Sequence, residues 1–125
     1  MKQKRNRATV IVPTKIGILL AETSRGLILL PGGLIERNEL PIAAAARELY
    51  EETGLKAHCL KFLYQTESAT NHHHVFLVGA YTGDPVARSD ANKLHYLSGV
   101  DGLADDISLK MSLATVGIVK SYYSL

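Results

Sequence analysis

Residues 33–55 read GLIERNELPIAAAARELYEETGL, and they contain the clearest helix signal in the chain. Pro41 suits the first position of a helix, where the N–H that proline lacks would have no partner in any case. Gly54 suits the left-handed position that ends a helix. These two residues predict a helix over Pro41–Thr53.

Five residues of this helix recur at intervals of three and four, so they share one face that we expect to be buried. They are Ile42, Ala45, Ala46, Leu49 and Thr53. The start of the helix breaks a rule, because the side chain of Leu40 cannot accept a hydrogen bond from the first helical N–H groups. Asn38 or Glu39 would have to supply that acceptor.

The same helix carries a cluster of acidic residues. Glu48, Glu51 and Glu52 are spaced so that their carboxylates lie together on one side of it. Glu36 and Glu39 lie in the segment that leads into the helix. Like charges at this spacing destabilise a helix by roughly 0.2–0.5 kcal/mol per pair. Five carboxylates in so short a span therefore require a compensating cation.

Arg47 is one such cation, because its guanidinium can reach Glu48 beside it and Glu51 one turn later. One arginine cannot balance five acids, and oxygen ligands favour a hard divalent cation, Mg²⁺, with Mn²⁺ as a substitute. The segment has neither the spacing of a calcium loop nor the His and Cys residues of a zinc site. The alternative, a solvated acidic face of a surface helix, explains neither the upstream Glu pair nor the flanking glycines.

Length and composition indicate one globular domain over residues 1–125. Hydrophobic residues make up 46% of the chain and charged residues 21%. These fractions are ordinary for a globular protein and exclude a disordered or fibrous chain. The formal net charge of +2 predicts no extended surface for nucleic acid.

Several features favour a cytoplasmic protein with no membrane association. No apolar run approaches the roughly 20 residues that span a bilayer. The basic start is followed by an apolar run that Pro13 interrupts early, so we interpret it as a tail leading into a strand rather than as a secretory signal. Cys59 is the single cysteine, which excludes an internal disulfide. Its apolar surroundings predict a small buried hydrophobe.

Apolar segments on both sides of the helix predict a sheet. We expect strands over residues 8–12, 17–22, 27–30, 60–65, 75–82 and 94–97. A second helix near the end of the chain would cover the sheet through residues at helical spacing, namely Leu109, Leu113, Val116, Val119 and Tyr123. Strands before and after a central helix, with a closing helix, predict an α/β sandwich with a mixed sheet.

The run His72-His73-His74 precedes the strand predicted over 75–82. Alternate side chains of a strand point to opposite faces, so three adjacent histidines cannot bind one metal ion there. We interpret the run as a loop that leads into the strand, with one histidine lining a substrate cleft.

Residues 33–55 resemble the box of the Nudix hydrolase family, G-x5-E-x7-R-E-U-x-E-E-x-G-U with U aliphatic, at all nine specified positions. The turn Pro31-Gly32-Gly33 before the box is also usual in that family. The resemblance implies a Nudix-type α/β/α sandwich with a mixed β-sheet. In such a fold, a loop, a helix and a second loop present the box to a bound diphosphate.

The resemblance also implies roles for the residues of the box. Glu51 and Glu52 would be direct Mg²⁺ ligands. Glu48 would be a further ligand or the base that deprotonates the attacking water. Arg47 would orient the carboxylates, and Glu39 would help to hold the metal site.

Two further metal ligands are implied outside the helix. The backbone carbonyl of Gly32 is one. Asp90, six residues before Tyr96, occupies the position at which many members carry a Glu on a later loop. Its side chain is shorter by one methylene, and a loop Asp in a turn is an equally good interpretation. A second departure is Asn38, where many relatives have Gly, although Asn also tolerates left-handed geometry.

The function that this resemblance implies is Mg²⁺-dependent hydrolysis of a diphosphate bond in a nucleoside diphosphate linked to another group. The small chain favours a compact substrate such as a nucleoside triphosphate, acted on by a monomer or homodimer. Two alternatives remain. One is a regulatory domain that binds a nucleotide without cleaving it. The other is an isoprenyl diphosphate isomerase. That enzyme relies on a catalytic Cys, and we expect Cys59 to lie outside the active-site loops.

Overall fold

A computed structural model describes residues 3–104 and 106–124. These residues form eight strands, two α-helices and two 3₁₀ helices. The strands are β1 (Arg5–Ile11), β2 (Pro13–Thr14), β3 (Gly17–Thr23), β4 (Ile28–Leu29), β5 (Gly32–Leu34), β6 (Lys56–Glu67), β7 (Asn71–Thr82) and β8 (Ala91–Leu97). The helices are α1 (Pro41–Thr53) and α2 (Leu113–Tyr123), with the 3₁₀ helices at Val100–Ala104 and Asp106–Lys110.

The strands form two sheets. The first has the order β5-β1-β7-β6 and is mixed, because β1 and β7 run parallel while the other neighbours are antiparallel. The second is antiparallel and centres on β3, which pairs with β2, β4 and β8. The predicted mixed sheet is therefore confirmed.

Side chains of the β1 segment alternate between two hydrophobic cores. Ala8 and Val10 pack in a core with Leu49 of α1. Ile11 packs in a second core with Ile118 of α2. Because successive side chains of a strand point to opposite faces, the two helices cover opposite sides of the strands. The α/β/α sandwich predicted from the sequence is confirmed.

The two ends of α1 differ in how well they are capped. At the C-terminus, Gly54 has φ +77° and its N–H donates to the Tyr50 carbonyl over 2.9 Å, as predicted. At the N-terminus, Leu40 makes no side-chain cap. Glu39 does not supply one, because its carboxylate accepts from the Glu36 N–H instead. Asn38 is left-handed, with φ +63°, in agreement with the tolerance expected of asparagine.

The buried face of α1 differs from the predicted one. Ala44, Ala45, Leu49 and Thr53 are buried. Ile42, predicted to be buried, is 45% exposed, and Ala46 is only partly buried. Helical spacing gives the direction of a side chain but not how far along the helix the neighbouring sheet extends. The prediction therefore failed for the first turn.

Two other burial predictions were wrong. Cys59 is exposed, because it lies on β6 at the edge of the first sheet, where most side chains face solvent. The second helix begins at Leu113, which is 91% exposed, and Leu109 precedes it with 84% exposure. Val119 is buried as predicted, together with Thr115 and Ile118, and the predicted residues Val116 and Tyr123 pack against the second core.

The three histidines lie within β7 and not in a loop before it, which corrects the sequence-based interpretation. β7 pairs with β1 from Asn71 onward, so each histidine has a partner in that strand. His73 is buried. Hydrogen bonds to the neighbouring strands thus extend β7 through a run of polar residues whose local sequence gave no strand signal.

No helix in the described ranges is long and apolar enough to cross a membrane.

Leu49 tests the contribution of α1 to the first core. It is fully buried, whereas Leu40 just outside the helix is 69% exposed. Leu49→Ala should lower the free energy of unfolding by about 2–5 kcal/mol through lost burial and the cavity left behind. Leu40→Ala, the matched control, should change it by less than about 0.5 kcal/mol. Urea denaturation measures both, and equal losses would contradict the packing described.

Candidate active site

Four carboxylates line one cleft beside the C-terminal half of α1, and one of them is Glu22 of β3. The cleft has a volume of about 380 Å³, and its walls include Glu48 and Glu52 of α1 and Asp90 just before β8. Gly32, which precedes the helix on β5, lies on the same cleft. Four of the residues predicted as metal ligands are therefore brought together. Glu39 and Glu51 do not line this cleft.

Glu52 is a partly buried acid in this group. Its Oε2 accepts a hydrogen bond of 3.0 Å from the Gly32 N–H. Burial raises the pKa of Glu52 to about 7, and the charges of Glu48 and Asp90 act in the same direction. The Gly32 hydrogen bond and the positive charge of Arg7 oppose that rise. The negative charge of Glu52 is thus incompletely compensated by the protein.

Arg47 binds several acids of the segment through one guanidinium group. Its Nε and Nη2 donate to the two oxygens of Glu39 over 2.8 and 2.9 Å. Its Nη1 donates to Glu48 over 2.8 Å and to Glu51 over 3.4 Å. Nη2 also reaches the Leu34 carbonyl at 3.1 Å. The network ties the loop before α1 to the acidic side of the helix.

These contacts change the acidity of both partners. Hydrogen bonds from Arg47 lower the pKa of Glu39 to about 2, helped by the Glu36 N–H. The same pairing raises the pKa of Arg47 above its usual value. Glu36 itself stays largely exposed, with its carboxylate 3.7 Å from Arg47. Glu39 therefore remains ionised and paired with Arg47.

The two glycines before α1 allow close approach of the backbone. A Cβ atom on Gly33 would overlap the carboxyl group of Glu48. Gly32 has φ +152°, and a Cβ there would overlap the Ala8 carbonyl on β1. Larger residues would move the chain away from the cleft or displace the Glu48 carboxylate.

Asp90 is held near Glu52 by the loop that precedes β8. Within this loop, the N–H of Arg88 donates to the backbone carbonyl of Glu52 over 2.9 Å. The Arg88 guanidinium lies 5.0 Å from the centre of the Tyr50 ring. Ser89 then adopts a left-handed conformation with φ +53°. The loop is thus attached to the end of α1, and Asp90 faces the helix across the cleft.

The donor set fits a hard divalent cation, although its oxygens are not gathered at one point. In residues 3–104 and 106–124, no three His, Cys, Asp or Glu side chains converge closely enough to hold a metal ion. Glu48 pairs with Arg47, and Glu52 with the Gly32 N–H. A cation would have to draw these side chains together. Oxygen ligands with uncompensated negative charge are nevertheless the type that Mg²⁺ and Mn²⁺ prefer.

A second, larger cavity of about 1100 Å³ adjoins the cleft. Residues of β1, β7 and α2 line it, and it shares four wall residues with the cleft, namely Arg5, Arg7, Leu29 and Asn71. The hydroxyl group of Tyr64, another wall residue, is buried without a hydrogen-bond partner among the described residues. A buried polar group of this kind is costly unless a ligand or water satisfies it.

Of the three histidines, His73 lines the larger cavity. Its Nδ1 lies 2.9 Å from the Thr9 hydroxyl oxygen, and its Nε2 lies 3.1 Å from that of Ser68. Burial, with a smaller effect of Arg7, lowers the pKa of His73. Sequence analysis missed this cavity, because its walls come from distant segments that share no motif.

Comparison with known proteins identifies the family. The model of the NUDIX domain matches residues 3–100. A crystal structure of a nudix hydrolase family member from Chromobacterium violaceum superposes with a TM-score of 0.86 at 28% identity, covering 99% of this chain and 79% of that one. No curated protein matches the sequence.

Two further solved structures share the fold. A MutT NUDIX hydrolase from Burkholderia pseudomallei has a TM-score of 0.78 at 24% identity, covering 95% of this chain and 98% of its own. A bifunctional NMN adenylyltransferase/ADP ribose pyrophosphatase from Francisella tularensis, complexed with AMP and a Mn ion, has a TM-score of 0.77 at 23% identity. The match covers 99% of this chain and 42% of that one.

The family match spans most of the chain, includes the whole acidic segment, and agrees with the fold and with the cleft. The chain therefore belongs to the NUDIX family and is a Nudix hydrolase that acts on phosphoric anhydride bonds.

Proposed function

We propose that this enzyme hydrolyses a diphosphate bond in a nucleoside diphosphate linked to another group. Nucleoside triphosphates are the preferred class of substrate. The reaction requires Mg²⁺, for which Mn²⁺ can substitute. The observation that carries the proposal is the meeting of Glu48, Glu52 and Asp90 in one cleft. This cleft opens on a cavity large enough for a nucleoside.

The carboxylates of Glu48, Glu52 and Asp90, with the Gly32 carbonyl, would hold the cation. Glu51 would join them after leaving its 3.4 Å contact with Arg47. A bound divalent cation supplies two effects, because it neutralises diphosphate oxygens and lowers the pKa of a coordinated water. The raised pKa of Glu52, caused by burial, supports this assignment, since a nearby cation would favour its ionised form.

If Glu48 does not bind the cation, it is our candidate for the base that takes a proton from the attacking water. Arg47 holds its Oε1 at 2.8 Å, which fixes the direction of the carboxylate. The water oxygen would then form a bond to phosphorus, and the bridging oxygen would leave with the electron pair of the broken bond. Glu39 would act indirectly, by keeping Arg47 in place through two hydrogen bonds.

The larger cavity would hold the nucleoside. Its volume of about 1100 Å³ is slightly above that of ordinary ligand pockets, which span roughly 300–1,000 Å³. Because both β1 and α2 line it, we propose that residues 1–125 act as one catalytic domain. We further propose a cytoplasmic monomer or homodimer that binds small nucleotides, with neither a membrane nor an extended nucleic acid as partner.

A nucleotide panel tests the function directly. Purified protein should release phosphate or pyrophosphate from at least one nucleoside triphosphate or nucleoside diphosphate derivative with Mg²⁺ or Mn²⁺ present. Release should stop in EDTA, because the protein alone offers too little positive charge to the diphosphate. Product chromatography measures the release. Nucleotide binding without cleavage would favour a regulatory domain, and rearrangement of isopentenyl diphosphate would favour an isomerase.

Glu52 tests the metal assignment. Glu52→Gln removes one ligand charge at constant volume and should keep the fold. It should lower kcat by more than the roughly 10- to 100-fold that loss of an outer partner of a metal ligand causes. The matched control is Asp84→Asn, which makes the same acid-to-amide change at an exposed turn away from the cleft. Full turnover by folded Glu52→Gln would exclude the role proposed for this residue.

A further inference from the structure

Arg7 lies on β1 where the cleft meets the larger cavity, and it lines both. Its Cα pairs with Leu34 of β5 on one side and with His73 of β7 on the other. Glu48 and Glu52 line the cleft together with Arg7, and His73 lines the larger cavity together with it. Arg7 lies outside the family box, so the roles that the box implies do not explain an arginine at this position.

The guanidinium of Arg7 has few partners within the protein. Among the described residues, its one hydrogen bond is from Nη2 to the Leu30 carbonyl, over 3.0 Å. An arginine carries five N–H donors, so most of them have no protein acceptor. No described carboxylate lies within the 4.0 Å of an ion pair with Arg7, although Glu52 and Glu48 are near enough to favour its charged form.

Keeping the Arg7 guanidinium charged without a close anion also costs folding free energy. Burial lowers the pKa of Arg7, which means that its surroundings disfavour the charge. A partly buried cation without a close anion destabilises a protein unless a ligand compensates it. Its neighbour Arg5 is exposed, so water already solvates that charge. His73 does not compete for an anion, because burial favours its neutral form.

We infer that Arg7 binds the phosphate that remains attached to the nucleoside, at the junction of the cleft and the larger cavity. The inference rests on the proposed function for the identity of the ligand. Its planar guanidinium would donate two parallel hydrogen bonds to phosphate oxygens. One phosphate would thus be fixed on the nucleoside side, while the adjacent phosphate faces Glu48 and Glu52 in the cleft.

A second interpretation gives Arg7 a structural role as the counter-ion of Glu52. Its charge does lower the pKa of Glu52, but by less than burial raises it. A structural counter-ion would matter equally for every ligand, whereas a phosphate-binding residue matters for phosphorylated ligands alone. This difference separates the two interpretations experimentally.

The test uses calorimetric binding in EDTA, so that neither metal nor turnover contributes. The probes are the four common nucleoside 5′-monophosphates and the matching unphosphorylated nucleosides. Arg7→Met should weaken monophosphate binding by about tenfold or more, as expected for lost hydrogen bonds to a charged group. Nucleoside binding should stay unchanged. Arg7→Lys, which keeps the charge without the planar fork, should give an intermediate loss.

Arg25→Met is the matched control, because Arg25 is exposed in a turn and lines neither cavity. It should bind monophosphates as the wild type does. For any nucleotide that the enzyme cleaves, Arg7→Met should raise KM by a factor similar to its loss in affinity.

The outcomes distinguish this inference from the proposed function. Equal monophosphate affinity of Arg7→Met and wild type overturns the inference even if hydrolysis is observed, and so does an equal loss for nucleosides. No monophosphate binding by wild type also overturns it. An Arg7-dependent affinity without hydrolysis of any nucleotide supports the inference and refutes the proposed function. If Arg7→Met does not fold, unchanged affinity of Arg7→Lys overturns the inference.

Discussion

The hydrogen-bonded network around Arg47 is the interaction on which the site depends. Five carboxylates in one short segment would repel one another and weaken the helix that carries three of them. Arg47 binds both oxygens of Glu39 and one oxygen each of Glu48 and Glu51. Among the described residues, Glu52 has no basic side chain in contact, and its close hydrogen bond comes from a backbone N–H. The network therefore compensates Glu48 and leaves the charge of Glu52 in the cleft without an ion-pair partner among the described residues.

The architecture places that charge where a substrate can reach it. α1 packs its small residues, Ala44 and Ala45, against the first core, which lets the helix lie close to the strands. Gly33 leaves room for the Glu48 carboxyl group. On the other side of the strands, α2 closes the larger cavity against β1 and β7. One strand, β1, thus contributes to both cores and both cavities, and the two parts of a nucleotide would meet along it.

Much of this was predictable because local rules coincide over residues 33–55. Pro41 and Gly54 predicted the bounds of α1, and spacing predicted the shared side of Glu48 and Glu52. What local rules could not supply was tertiary context. They placed Ile42 in the core, although its side chain is 45% exposed. They made the histidine run a loop, although pairing with two strands extends β7 through it. The position of Arg7 between two cavities depends on strands that are distant in the sequence.

Anomalous diffraction from crystals grown with Mn²⁺ is the most direct test of the central claim, that the acids of α1 hold a divalent cation in the cleft. Our account predicts an anomalous peak between the carboxylates of Glu48 and Glu52 and beside Asp90, with Arg47 still bound to Glu39. A Mn²⁺ peak at another location would contradict it. So would crystals that show no peak at Mn²⁺ concentrations that support activity.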